Sequence, residues 1–120
     1  MIEQLQGFPE NTVAFACHGR VTRTDYETVL VPAVDDAFRK HEKVRLYYQV
    51  GSDFEHIGPG AIWTDFRTGL EHWLRWERVA VVTDVEWIRN TMSAFGFLMP
   101  GEMRLFAMSE KDVARDWISS

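Results

Sequence analysis

Arg78-Val79-Ala80-Val81-Val82-Thr83-Asp84 is a short, almost wholly apolar run, rich in Val, that ends on a polar Thr-Asp pair. A run of this length without polar alternation reads as a strand covered on both faces. Cover on two faces calls for helices, and so for a parallel or mixed sheet in an α/β domain. Val85-Glu86-Trp87-Ile88-Arg89 then opens a helix, expected over residues 85–95. Asp84 stands where that helix needs an N-cap, and capping accounts for it without a ligand.

Upstream, Val44 to Val50 reads as another strand. A glycine-rich polar loop over residues 51–60 follows it, and then a helix over 61–73 with Ile62, Phe66, Leu70 and Trp73 as its stripe. Before that strand, a helix over 24–41 carries Tyr26, Val29, Leu30, Ala33, Val34, Ala37 and Phe38 at helical spacing. Thr24 and Glu27 have capping-box spacing, and Pro32 is expected to kink this helix. Ile2 to Leu5 and Thr12 to Gly19 read as strands of an antiparallel hairpin across a Gly-Pro-Asn turn.

Downstream, Glu102 to Ala107 alternates as an edge or half-buried strand does. Ser109 is expected to cap a closing helix with Val113, Ala114, Trp117 and Ile118 on its buried stripe. The order is ββαβαβαβα: a mixed, mostly parallel five-stranded sheet with four helices, in one domain over residues 1–120.

The chain has 120 residues, 46% hydrophobic and 26% charged, with a formal net charge of −5. No basic run exists, so nucleic acid and strongly anionic membrane surfaces are poor partners. Cys17 is the one cysteine. It excludes an internal disulfide and the multi-cysteine zinc frameworks, and points to the cytoplasm. No signal peptide or transmembrane run is read.

Asp65 and His72, the Arg78–Asp84 run with Trp87, the Arg104-Leu105-Phe106 strand and the closing Ala114, Trp117 and Ile118 resemble the SpoIIAA-like family, of STAS and CRAL-TRIO-type fold. The resemblance spans nearly the whole chain and implies that fold. STAS-type antagonists of anti-sigma factors carry an Asp-Ser-Ser-Gly-like phosphorylation site where a strand meets its helix. This chain has Gly51-Ser52-Asp53 in that region, with Ser52 as the loop's hydroxyl. Likeness to lipid-carrying CRAL-TRIO domains implies an apolar ligand beneath a helix. These are fold-level implications.

Candidate chemistry is sparse. Asp65 and His72 lie two helical turns apart, about 10 Å of rise, too far for a direct hydrogen bond. A zinc site would need further ligands, such as His56 and Glu71, and no His-Glu-x-x-His spacing is present. Structural roles are favoured for both. Cys17 and His18 are strand neighbours that point to opposite faces, so they form no nucleophilic pair. Gly58-Pro59-Gly60 could present backbone N–H groups to an anion but lacks the lysine of a P-loop. Neither a cofactor nor a metal is expected.

The apolar residues carry more signal. Met92, Phe95, Phe97, Leu98 and Met99 cluster about a glycine, and Trp63, Trp73 and Trp76 add more area than one helix face buries. The leading expectation is a non-enzymatic STAS-like binding or regulatory module that docks a protein partner, a homodimer included. Its candidate surface is Phe54, Ile57, Trp63, Phe66, Phe95, Phe97, Leu98 and Met99, with Ser52, His56, Asp65 and His72 as a candidate polar site. The alternative is a carrier or sensor of a small apolar, lipid-like ligand in a CRAL-TRIO-type pocket. An enzyme built on His56, Asp65 and His72 ranks last, because no nucleophile accompanies them.

Overall fold

The computed structural model describes residues 1–51, 56–57, 75–96 and 101–120, with the backbone alone at 56–57 and 95–96. Its main sheet has five strands: β1 (Ile2–Gln4), β2 (Thr12–Cys17), β4 (Val44–Val50), β6 (Trp76–Thr83) and β7 (Glu102–Phe106). They lie side by side in that order. β1 pairs antiparallel with β2, and every other pairing is parallel. The α/β class, the mixed sheet, the hairpin and the edge position of β7 are as the sequence predicts. The expected helix over 61–73 lies outside the described residues.

β6 supplies both faces of the core, as its unbroken apolar run requires. Val79 and Val81 join Phe15, Leu46 and Tyr48 on one face, while Ala80 and Val82 join Ala14 and Tyr47 on the other. The first face is covered by the helical segment after β2 and by α3 (Glu86–Gly96). The second is covered by α4 (Lys111–Ser119), through Ala114 and Ile118, with Phe8 and Trp117 at its rim. Parallel strands added in one direction place right-handed crossover helices on one face, which leaves the other to the last helix.

The helical segment after β2 runs from Arg23 to Lys40 and differs from the expected one in two ways. Its N-cap is Thr22, not Thr24: the Thr22 hydroxyl accepts from the Asp25 N–H, and the Asp25 carboxylate accepts from the Thr22 N–H at 2.9 Å. Nor does Pro32 interrupt an α-helix. The segment is α1 (Arg23–Asp25), a π turn (Tyr26–Leu30) and α2 (Val31–Lys40), so Pro32 falls in the first turn of α2. Proline lacks an N–H and its ring crowds the carbonyl four residues back. The wider π turn, closed by the Val31 N–H on the Tyr26 carbonyl, accommodates both defects.

Four further expectations are settled differently. Asp84 does not cap α3; its Oδ1 accepts from the Met108 N–H at 3.1 Å, while Thr83 Oγ1 takes the Val85 N–H at 3.0 Å. Ser109 does not cap the closing helix either. It sits in a 3₁₀ turn, Met108–Glu110, where the Glu110 carboxylate takes the Ala107 N–H at 2.8 Å. Val113 leaves the buried stripe of α4 and is 57% exposed. Trp76, counted among the surplus aromatics, is core: it meets Phe38 edge-on, with ring centroids 4.9 Å apart.

Candidate functional site

The carboxyl ends of β2, β4, β6 and β7 all point to one edge of the sheet, the edge at which parallel α/β sheets place their ligands. Two short segments missed in the sequence lie just beyond β2 and β4. β3 (Arg20–Val21) pairs in parallel with β5 (His56–Ile57), Arg20 opposite His56 and Val21 opposite Ile57. Two residues are too few for a periodic signal, and the surrounding glycines read as loop.

Below this ladder lies a buried polar chain. The Cys17 thiol donates to the Tyr48 hydroxyl at 3.1 Å, and the Tyr48 and Tyr26 hydroxyls are 2.6 Å apart. Register explains the meeting: Cys17 is level with Val50, so Tyr48 is its diagonal neighbour on the same face. Tyr26, fully buried, opens the π turn above them. Cys17 thus both packs in the core and donates a hydrogen bond within it. His18 leaves the sheet, and its Nε2 lies 3.4 Å from a Glu3 carboxylate oxygen. Nearby Asp25 is partly buried, which opposes its ionisation. The two Thr22 hydrogen bonds and the Met1 ammonium at 3.4 Å outweigh that and hold its carboxyl below the usual value.

At the ends of β6 and β7 the polar groups are tied into the fold. Arg89 Nη1 donates to the Thr83 carbonyl at 2.8 Å and to the Phe106 carbonyl at 3.1 Å, bridging the two strand ends. Asp84 joins β6 to the turn after β7. Trp87, in the first turn of α3 beside these groups, is 53% exposed. On the opposite face of the sheet, burial pushes the Tyr47 hydroxyl up; Arg115 opposes the shift and Asp112 adds to it. That hydroxyl donates to the Gln49 side-chain oxygen at 2.9 Å.

Among the expected site residues, Ser52, Phe54, Trp63, Asp65, Phe66, His72, Phe97, Leu98 and Met99 lie outside the described residues. His56 and Ile57 are placed by their backbone in β5, and Phe95 by its backbone in α3. The structure thus brings His56 and Ile57 to the carboxyl edge, level with Arg20 and Val21.

The family model described as SpoIIAA-like matches residues 12–119. The chain belongs to the SpoIIAA-like family. Among solved structures it is similar to an uncharacterized protein of the DUF3478 family with a SpoIIAA-like fold, from Shewanella loihica PV-4. The TM-score is 0.74 at 23% identity, over 98% of this chain and 92% of that one. At that identity the likeness speaks for the SpoIIAA-like fold alone. A search of curated proteins returns no match. No helix among the described residues is long and apolar enough to cross a membrane.

Proposed function

We propose that this SpoIIAA-like protein is a non-enzymatic, STAS-like binding or regulatory module of the cytoplasm that works through protein–protein contacts, with a second copy of itself as the simplest partner. The observation that carries the reading lies at the carboxyl edge between β6 and β7. There Trp87 is 53% exposed beside Asp84 and Arg89, which bond to backbone groups. An exposed tryptophan among engaged polar groups suits a contact surface, where aromatic residues supply most of the energy. Phe97, Leu98 and Met99 remain sequence-based candidates for such a surface and lie outside the described residues.

Native mass spectrometry of gently purified protein tests this, with Trp87→Asp and Phe97→Asp beside the parent. The expected result is a two-chain mass in the parent and a one-chain mass in the variants, with unchanged circular dichroism. A non-covalent adduct lost on denaturation would instead support the carrier of an apolar ligand. A single-chain parent without adduct, whose Trp87→Asp variant behaves identically, would overturn self-association through this face.

A further inference from the structure

A second surface lies on the opposite face of the sheet, where α4 ends. Arg78 on β6 and Arg104 on β7 both lie over the ring of Trp117, with guanidinium carbons 5.2 and 5.0 Å from its centroid. Their neighbour Arg45 is neutralised by Glu77, Nε to carboxylate oxygen 2.6 Å. Among the described residues neither Arg78 nor Arg104 pairs with an Asp or Glu carboxylate, though Arg78 Nη1 also lies 3.5 Å from the Ser120 main-chain oxygen. Arg78 Nη1 donates to the Trp117 carbonyl at 2.9 Å and to Ser120 Oγ at 2.7 Å. The ring of Trp117 is the contact that the exposed Arg104 makes. Glu102 stands directly opposite Arg78 in the β6–β7 register yet forms no ion pair with it.

We propose that the Arg78–Trp117–Arg104 stack is a docking site for a carboxylate-bearing segment of a protein partner, an acidic peptide. Stacking on an indole restrains a guanidinium that would otherwise sample many rotamers, and leaves its in-plane N–H groups able to donate. Arg104 is the member of the pair whose hydrogen bonds the fold does not use, while Arg78 Nη1 is engaged by Trp117 and Ser120. A fork held in place binds a carboxylate in a bidentate manner with less ordering to undergo. The attraction for an acidic partner is local to this cationic pair, since the chain's net charge of −5 opposes it at long range. Nucleic acid is the poorer fit, since a phosphate backbone needs a longer basic track and Glu102 borders this one. Glu102, opposite Arg78 in the register, opposes an incoming carboxylate by like-charge repulsion. The site is distinct from the Trp87 surface and stands whether or not that surface binds a partner.

The probe is an acetylated, amidated hexaglutamate peptide, titrated at low salt into ¹⁵N-labelled protein. The Arg side-chain Nε–H and the Trp117 indole N–H are followed, with hexaserine and inorganic phosphate as comparisons. Saturable shifts at Arg78, Arg104 and Trp117 are expected with hexaglutamate. Affinity should fall at least tenfold in Arg104→Gln and rise in Glu102→Gln. Arg104→Gln is the decisive variant, because Arg78 also holds the end of α4. Equal affinity for hexaglutamate in the parent and Arg104→Gln, or shifts lying elsewhere, overturns the proposal. Equal response to phosphate would replace the acidic peptide with a phosphate-bearing ligand and overturns it as stated.

Discussion

Gly101 is the point at which β7 enters the sheet, and substituting it tests how closely the chain passes β6. A Cβ built on Gly101 would run into the Trp76 carbonyl oxygen and lie 2.7 Å from that of Glu77. Both are backbone atoms at the start of a strand hydrogen-bonded on each side, so neither can withdraw as the tip of a flexible side chain would. Gly101→Ala should therefore displace β7 instead, at the cost typical of overpacking, about 1–3 kcal/mol. For a chain of this length the unfolding entropy is roughly 0.25 kcal/mol per kelvin, so the melting temperature should fall by about 4–12 °C. The urea slope should stay at the parent's value, since the surface exposed on unfolding hardly changes.

Gly19 provides the contrast. Its φ is +57° and a Cβ there meets nothing within 4 Å, so its requirement is conformational, not spatial. Asparagine tolerates the left-handed region. Gly19→Asn should thus recover most of what Gly19→Ala loses, whereas Gly101→Asn should be worse than Gly101→Ala. Thermal unfolding of the four variants decides between the mechanisms. If Gly101→Ala melts within about 1 °C of the parent, or Gly101→Asn is milder than Gly101→Ala, the close approach of β7 to β6 is refuted.

Asp25→Asn should cost about 1 kcal/mol at pH 7, the usual worth of an N-terminal cap. Because the folded-state pKa of Asp25 is lowered, its stabilisation is complete above the unfolded value, about 3.9, and disappears as pH falls through the folded one. Urea titrations at pH 7 and pH 2 should show the difference shrinking, and a difference constant across that range would remove Asp25 from the acid response. On α4, Ile118→Ala should cost about 2–5 kcal/mol and Val113→Ala under about 0.5 kcal/mol, read by the same titrations. Equal losses would mean that α4 docks with the face the sequence pattern suggests, not the observed one.

The legible parts of the fold were those specified by extended periodicity. The Val44–Val50 strand is found at its expected bounds, and the Tyr26, Leu30, Val34, Ala37 and Phe38 stripe is buried as its spacing requires. What escaped was decided by single contacts. Thr22 and Thr24 are equally good caps by composition, and only the approach of Asp25 to Thr22 selects one. Asp84 has the right position for a cap, but the Met108 N–H, 24 residues along the chain, takes its carboxylate. Tyr26 and Tyr48 look like apolar core by spacing. Their hydroxyls meet through tertiary packing of the π turn on β4, and strand register, which no local pattern encodes, sets Tyr48 diagonally from Cys17.

The arginines show most clearly why site chemistry was harder to read than fold. In the sequence they are scattered and suggest no basic patch. In the structure five of them, Arg45, Arg75, Arg78, Arg89 and Arg115, serve as stoppers for carbonyls left unpaired at the ends of helices and strands or in a loop. Arg75 takes the Phe38, His41 and Glu42 carbonyls where α2 ends. Arg45 and Arg78 take the Ile118 and Trp117 carbonyls of the last turn of α4, and Arg89 takes those at the ends of β6 and β7. A cation at a helix C-terminus also answers the dipole there. Arg115 serves a loop in the same manner, donating to the Gln6 carbonyl at 2.9 Å with its guanidinium over Phe8. Arg104 differs from these five, and from Arg23 and Arg39, which pair with Glu27 and Asp36: it rests on an aromatic ring. A guanidinium held in place but not used by the fold is the one to test for a ligand, and its position beside Trp117 and Arg78 directs the search to carboxylates.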